Sequence, residues 1–227
     1  MRILVVTNLY PPHHVGGYEL GCRDVVEKLR ERGHAVQVLT STFRNGKTEN
    51  PPDETGVARV LQFNGQAGDS PHDKKAECAK LVQSVKLFSP DVVYFWNQAG
   101  LSQWLPFAAH WHGCRMAFFL SDTNFVWWRV GAWLLNAAGK TPEPLNPLRG
   151  EGEKRGVVAA AIRSLFGNSF LVRGWPVVEN RTCHFCSDFI RQEAVKAGIA
   201  FAPQNSIVAH WGIEPSQFTA VPRERCR

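Results

Sequence analysis

The chain has 227 residues, a length that fits one large domain with a sizeable hydrophobic core. Hydrophobic residues make up 44% of it and charged residues 20%, which excludes a disordered chain, a collagen-like chain and a disulfide-rich miniprotein. Lysine and arginine exceed the acidic residues by 26 to 20, and the resulting charge of +6 favours anionic ligands without naming one. The sequence contains no basic cluster and no zinc-finger spacing, so we expect no nucleic acid as a partner.

The sequence shows neither a membrane-spanning segment nor a signal peptide. The longest apolar stretch, 125–138, is interrupted by Arg129 and Asn136, and the apolar run after Met1 covers only residues 3–6. We therefore expect a cytoplasmic protein, in which the six cysteines are mostly reduced.

The first forty residues predict a strand, a long loop, a helix and a second strand. The apolar run 3–6 is typical of a strand that is buried on both faces of a parallel sheet. A loop containing Pro11, Pro12, Gly16 and Gly17 follows it. Apolar residues then recur at helical spacing up to Gly33, namely Cys22, Val25, Val26 and Leu29. Residues 36–39 predict the second strand of a right-handed crossover unit.

The same alternation continues along most of the chain. Further strands are predicted at 57–63, 91–96, 116–120 and 207–209, and helical stripes at 78–85, 101–108 and 189–197. Residues 125–180 break this rhythm, although they contain two predicted helices, 127–138 and 157–166. The pattern predicts an α/β fold: a Rossmann-like open parallel sheet with helices on both faces and an insertion at about 125–180.

The candidate binding residues lie where the predicted strands end, because open α/β sheets bind ligands at the carboxyl ends of their strands. Gly16 and Gly17 precede a helix N-terminus, where backbone N–H groups can hold an anion, although a simple turn explains the two glycines as well. Asp122 directly follows a buried strand, and this position favours a functional carboxylate over a packing role. Its neighbour Ser121 is either a site residue or a turn residue.

Six further polar residues at this edge are candidates for contacting a substrate. The histidines suit acid–base chemistry or phosphate binding, but they equally fit a solvated loop, and the glutamate also suits the helix dipole. The six residues are His13, His14, Tyr18, Glu19, Asn97 and Asn124.

The pair of cysteines at 183 and 186 and the tryptophans of 125–180 each have a structural and a functional interpretation. Cys183 and Cys186 have C-x-x-C spacing, but no second ligand pair for zinc accompanies them, so buried and unreactive thiols are favoured. The tryptophans of 125–180 most simply belong to a core. Together with the arginines of that segment, they also suit contact with a lipid-linked acceptor or with the inner face of the membrane.

Several motifs together resemble the N-terminal domain of GT-B glycosyltransferases, and most of all the retaining family 4, or group 1, enzymes. The matching segments are 1–12, 15–19, 29–34, 36–40, 89–93, 187–190 and 210–218. They are spread over most of the chain outside 125–180. The resemblance implies an acceptor-binding domain at 1–217 and, at 218–227, the start of a linker to a C-terminal donor domain with an E-x7-E signature, which this chain does not include.

By the same resemblance, the enzyme transfers a sugar from a nucleotide-sugar donor to a sugar or lipid-linked acceptor with retention of configuration. Gly16 and Gly17 would face the donor diphosphate. Ser121 and Asp122 stand where the family often has a His–Asp pair beside the transferred sugar, and Asp122 is the stronger catalytic candidate. The resemblance implies no metal and no other cofactor, since the nucleotide sugar is a substrate. The alternatives are a non-enzymatic α/β binding module and half of a sugar-nucleotide epimerase.

Overall fold

The computed structural model describes residues 1–44, 55–63, 74–102, 104–122, 181–196 and 203–212. Within these ranges the chain forms seven strands: β1 (Arg2–Val6), β2 (Ala35–Ser41), β3 (Val57–Leu61), β4 (Val92–Phe95), β5 (Met116–Leu120), β6 (Thr182–Phe185) and β7 (Ser206–Val208). The helices are α1 (Gly17–Glu31), α2 (Lys74–Phe88), α3 (Leu105–Trp111) and α4 (Asp188–Lys196), and a short 3-10 turn, Pro203–Asn205, precedes β7.

All seven strands are parallel and form one sheet in the order β3-β2-β1-β4-β5-β6-β7. From β1, the strands β2 and β3 extend the sheet in one direction, and β4 to β7 extend it in the other. The strand order therefore reverses between β1 and β4, and the crevice at their carboxyl ends is where such sheets bind ligands. The predicted Rossmann-like sheet is confirmed.

The helices lie on both faces of the sheet, as the right-handed crossover rule requires. The helix α1 leads from β1 to β2 and buries Cys22 and Val26 in a cluster with Val38 and Phe119 on one face. On the opposite face, α2, α3 and α4 contribute to the larger cluster through Leu81, Leu105, Ile190 and Ala194. Among the described residues, no helix is both long enough and apolar enough to cross a bilayer.

One helix begins later than its apolar stripe predicts, and other predicted elements lie outside the described ranges. The stripe predicted as a helix at 101–108 becomes a helix only at Leu105. Leu101 and Trp104 are buried in the turn before it, where the Leu101 N–H donates to Gln98 O at 3.0 Å. The apolar spacing correctly predicted that Leu101 and Trp104 are buried, but it wrongly placed them inside the helix. The predicted helices 127–138 and 157–166, the insertion 125–180 and the segment 218–227 lie outside the described residues and stay predictions.

A buried carboxylate connects α2 to the end of β3, and we expect its loss to destabilise the fold. Glu77 is 1% exposed; one of its oxygens accepts the Gln62 N–H at 2.8 Å and the other contacts Lys80 Nζ at 2.5 Å. Glu77→Gln keeps the shape of the side chain but removes the negative charge, which both the Gln62 N–H and the Lys80 ammonium group contact. It should lower the free energy of unfolding in urea by about 2 kcal/mol.

The matched control for this variant is an exposed glutamate. Glu27 is 56% exposed and lies 3.8 Å from Arg23 on α1, so Glu27→Gln should change stability by at most about 0.5 kcal/mol. Equal losses in the two variants would contradict the role given to Glu77.

Candidate functional site

Asn8 fixes the geometry of the sheet edge at the end of β1. Its N–H donates to Asn97 O at 2.8 Å, and its side-chain Nδ2 donates to Ala99 O at 3.0 Å. Its carbonyl accepts hydrogen bonds from Thr40 Oγ1 at 3.1 Å and from the Ser41 N–H at 3.2 Å. Because these partners belong to the end of β2 and to the segment that follows β4, Asn8 joins the carboxyl ends of three adjacent strands.

The two histidines of the loop after β1 have different environments. His13 is fully buried, and its N–H donates to Tyr10 O at 3.1 Å. Arg59 of β3 holds the same turn by donating to Tyr10 O at 3.0 Å and to Pro11 O at 2.8 Å. His14 is partly exposed, and its Nδ1 donates to a backbone carbonyl two residues earlier at 3.0 Å. The structure thus places the His13 side chain inside the loop and leaves that of His14 in contact with solvent.

The carboxylate of Glu19 folds back onto the N-terminus of α1, the helix to which it belongs. It is 4% exposed, and its Oε2 accepts the Gly16 N–H at 2.8 Å. A carboxylate in the first helical turn is stabilised by the helix dipole. The Gly16 N–H is therefore already engaged, and any anion at this helix would be held from Gly17 onward, where the first N–H groups have no partner within the helix.

Trp211 packs over the first turn of α1, a contact that the sequence did not indicate. Its ring stacks on Phe119 at a centroid distance of 5.8 Å and meets Tyr18 edge-on at 5.5 Å. A Cβ atom added to Gly21 would lie 3.4 Å from the indole, and one added to Gly17 would lie 3.8 Å from it. The two glycines therefore give the indole room against the helix, so Gly17 has a packing role besides the predicted anion-binding role.

Tyr18 connects α1 to the two candidate residues after β5. Its hydroxyl lies near the Ser121 side chain and the Asp122 carboxylate. Burial, followed by the negative charge of Asp122, raises the pKa of the Tyr18 phenol, while the Ser121 contact lowers it. Tyr18 is therefore a neutral hydroxyl group at physiological pH. The structure brings three of the predicted site residues together here: Tyr18, Ser121 and Asp122.

Cys186 connects the ends of β5, β6 and β7. Its thiol donates to Ser121 O at 3.4 Å, and its carbonyl accepts a hydrogen bond from Nδ1 of His210 at 3.1 Å. Since Nδ1 carries this hydrogen, Nε2 of a neutral His210 ring is the acceptor. His210 is exposed and lies at the same edge of the sheet as Ser121 and Asp122.

Two buried polar atoms lie at the end of β4, close to the crevice where the strand order reverses. Trp96 Nε1 and Gln98 Oε1 have no hydrogen-bond partner among the described residues. Asn97 lies between them, and its Oδ1 accepts the Ala99 N–H at 2.9 Å. Asn124 falls outside the described residues.

The C-x-x-C pair consists of two thiols in different surroundings. Cys183 is buried in the cluster that α4 covers, whereas Cys186 is partly buried at the edge of the sheet. Both are free cysteines. Within the described ranges, no group of three or more His, Cys, Asp or Glu side chains is placed to hold a metal ion.

We expect the buried thiols to make the fold sensitive to alkaline pH. Burial raises the pKa of the Cys183 and Cys78 thiols to about 12, from an ordinary value of 9.0. Between these values the folded chain retains protons that the unfolded chain loses. Stability should therefore be unaffected by these thiols below pH 9 and fall above it by about 1.4 kcal/mol per pH unit for each thiol.

The variant Cys183→Ala tests this dependence. Urea unfolding above and below pH 9 should show a decline for the variant that is shallower by about 1.4 kcal/mol per pH unit. Below pH 9, the stability difference between the two proteins should not change with pH. An equally steep decline in both proteins would show that Cys183 does not retain its proton in the folded chain.

No family model and no curated protein matches the chain. Solved structures with a related arrangement include MurG of Acinetobacter baumannii, at 14% identity over 94% of this chain and a TM-score of 0.41. UGT2 of Phytolacca americana, complexed with UDP-2-fluoro-glucose and pterostilbene, matches at 15% identity over 93%, with a TM-score of 0.44. WbmG of Bordetella bronchiseptica, in complex with NAD and UDP, matches at 16% identity over 53%, with a TM-score of 0.32.

The chain spans 67% of the MurG chain, 52% of the UGT2 chain and 37% of the WbmG chain. With similarity this low, these neighbours assign neither a family nor an activity to the chain.

Proposed function

We propose that the chain is the acceptor-binding domain of a glycosyltransferase that uses a nucleotide-sugar donor and retains the anomeric configuration. The observation that carries the proposal is the convergence of Tyr18, Ser121 and Asp122 at the carboxyl edge of a Rossmann-like sheet. These three residues lie beside the N-terminus of α1, where the helix stabilises an anionic group. The sequence motifs that resemble retaining GT-B enzymes support the same function.

The proposed chemistry assigns separate tasks to the two sides of this edge. Negative charge develops on the leaving diphosphate, and the N–H groups at the start of α1 would stabilise it. Asp122 would orient the acceptor hydroxyl and offset the positive charge that develops on the transferred sugar. Tyr18, as a neutral hydroxyl, would hold the position of Asp122 without adding charge. In a retaining transfer the leaving diphosphate itself can accept the proton of the incoming hydroxyl.

The proposal includes a donor-binding domain connected after residue 217. The two domains together would enclose the reacting groups, and orientation of both substrates would supply much of the rate enhancement. No metal has a role in this scheme. The cytoplasmic location and the contact of the 125–180 segment with the membrane belong to the same proposal.

The test is a transfer assay on the polypeptide purified from its source cells. It would be incubated with isotopically labelled nucleotide sugars and a panel of acceptor glycosides, and NMR would read the anomeric configuration of the product. We expect consumption of a nucleotide sugar and a new glycosidic bond with the configuration of the donor. Ligand binding without turnover would favour the binding module, and an epimerised nucleotide sugar without transfer would favour the epimerase. An inverted product would overturn the retaining mechanism.

A further inference from the structure

We propose that the exposed indole of Trp211 is a stacking platform for a pyranose ring, so that the acceptor of the proposed transfer presents a carbohydrate next to Asp122. That the bound carbohydrate is an acceptor rests on the proposed function. The sugar-binding platform itself rests on the packing and exposure of Trp211 and on the polar groups around it.

The indole of Trp211 is held in place by Phe119, Tyr18 and α1. One ring face lies on Phe119, and the edge of the six-membered ring points at the first turn of α1, where a Cβ atom of Gly21 would lie 3.4 Å from it. Trp211 nevertheless remains 43% exposed. Part of the indole surface is therefore free to contact a ligand although three neighbours hold the ring. A ring that is already immobilised loses little conformational entropy when a ligand stacks on it.

The neighbouring groups supply the polar half of a sugar site. Tyr18 meets Trp211 edge-on and lies near Ser121 and Asp122. His210 precedes Trp211, and its Nδ1 hydrogen is held by the Cys186 carbonyl. An apolar platform next to a carboxylate and hydroxyl groups matches a pyranose, which has an apolar C–H face and a rim of hydroxyls. The negative face of the indole attracts the slightly positive C–H hydrogens of the sugar.

The same platform discriminates against an anionic occupant. Tyr18, which contacts the indole, lies near the Asp122 carboxylate, and the negative charge of Asp122 disfavours a phosphate group at this position. A neutral nucleobase could also stack on an indole, so uridine and UDP are the probes that separate the two kinds of ligand. A flexible polyol without a ring lacks a flat C–H face, which makes glycerol the control for non-specific hydroxyl binding.

Trp111 provides a matched control within the same chain. It is 39% exposed, close to the value for Trp211, but it ends α3 and lies before β5 begins, at the amino end of the sheet. A general affinity of exposed tryptophans for sugars would affect both residues, whereas a built site would affect Trp211 alone.

The experiment is 19F NMR of the full chain labelled with 5-fluorotryptophan. Trp211→Phe and Trp111→Phe identify the two resonances among the 8 tryptophans. The probes are the methyl glycosides of glucose, galactose and N-acetylglucosamine, together with uridine, UDP and glycerol. We expect at least one methyl glycoside to shift the Trp211 resonance saturably while the Trp111 resonance stays in place, and we expect no shift with glycerol, uridine or UDP.

A titration that follows the proton NMR signals of the sugar measures how much the Trp211 ring contributes to the binding affinity. Trp211→Ala should weaken binding about tenfold, whereas Trp211→Phe, which keeps an aromatic face on Phe119, should weaken it about threefold. If Trp211→Ala does not fold, the shift of the Trp211 resonance in the unaltered chain still decides the question.

Three results of the NMR experiment would overturn the platform: no shift with any methyl glycoside, equal shifts at Trp111 and Trp211, or a Trp211 shift with uridine or UDP instead of the sugars. Each can occur whether or not transfer is found. Sugar binding at Trp211 without transfer would leave the platform standing and remove the proposed function. Transfer to a sugar with an acceptor KM unchanged in Trp211→Ala would keep the function and remove the platform.

Discussion

Replacing Gly100 with valine should lower the free energy of unfolding by about 3 kcal/mol, the largest stability effect that we expect of any single substitution. Gly100 has φ +76°, and a Cβ atom there would lie 2.5 Å from Cε2 of Phe63 and 2.9 Å from its Cδ2. A β-branched residue at this φ is strained by roughly 1–2 kcal/mol. The added side chain also displaces Phe63 from its edge-on contact with Phe43, at a centroid distance of 5.2 Å.

Gly113 separates the two contributions. It has a similar φ of +71°, but nothing lies within 4 Å of an added Cβ atom. Gly113→Val should therefore lose only the backbone part, roughly 1–2 kcal/mol, in the same urea titration. Equal losses at Gly100 and Gly113 would show that Phe63 moves aside without cost.

A double-mutant cycle with Phe63→Ala measures the contact directly. In that background the Gly100→Val variant should lose about as much stability as Gly113→Val, because the clashing ring is absent. This contact also concerns the site. The backbone carbonyl of Ala99, which binds the Asn8 side chain, directly precedes Gly100, so a shift at Gly100 would disturb the edge that Asn8 organises.

The sheet could be predicted from the sequence because each of its parts has a local signal. The run 3–6 is apolar at every position, and this is required of a strand covered by helices on both faces. Gly33 ends α1 with φ +81°, the left-handed conformation that glycine adopts most easily. Ser187 Oγ accepts the Ile190 N–H at 3.3 Å and so caps the N-terminus of α4, a position where serine is common.

The site could be predicted only as a region, because its contacts join residues that are far apart in sequence. The rule for parallel sheets correctly brings Ser121 and Asp122 near the start of α1. No local pattern indicates that Trp211 lies over Gly17 and Gly21, or that Glu19 takes the Gly16 N–H. Two adjacent glycines before a helix indicate either an anion-binding loop or a simple turn. The packing role of Gly17 depends on Trp211, which follows β7 and is distant in sequence.

The substitution Asp122→Asn should lower kcat for sugar transfer by about a hundredfold to a thousandfold, the largest effect expected on activity. The amide has the shape of the carboxylate and keeps a hydrogen-bond acceptor near Tyr18, so the fold should be retained. It lacks the negative charge that, in the proposed mechanism, orients the acceptor hydroxyl and offsets positive charge on the sugar in the transition state. Because this interaction strengthens in the transition state, the KM for the nucleotide sugar should change little.

Asp91→Asn is the matched control, because Asp91 is exposed at the opposite edge of the sheet and accepts the Arg2 N–H at 2.7 Å. Steady-state kinetics of both variants, with thermal unfolding as the check on folding, should show full activity for Asp91→Asn within about twofold. A kcat near that of the unaltered enzyme in Asp122→Asn would remove Asp122 from the catalytic role. A raised KM for the acceptor with unchanged kcat would instead make Asp122 a binding residue, whose carboxylate contacts the substrate equally in the ground state and the transition state.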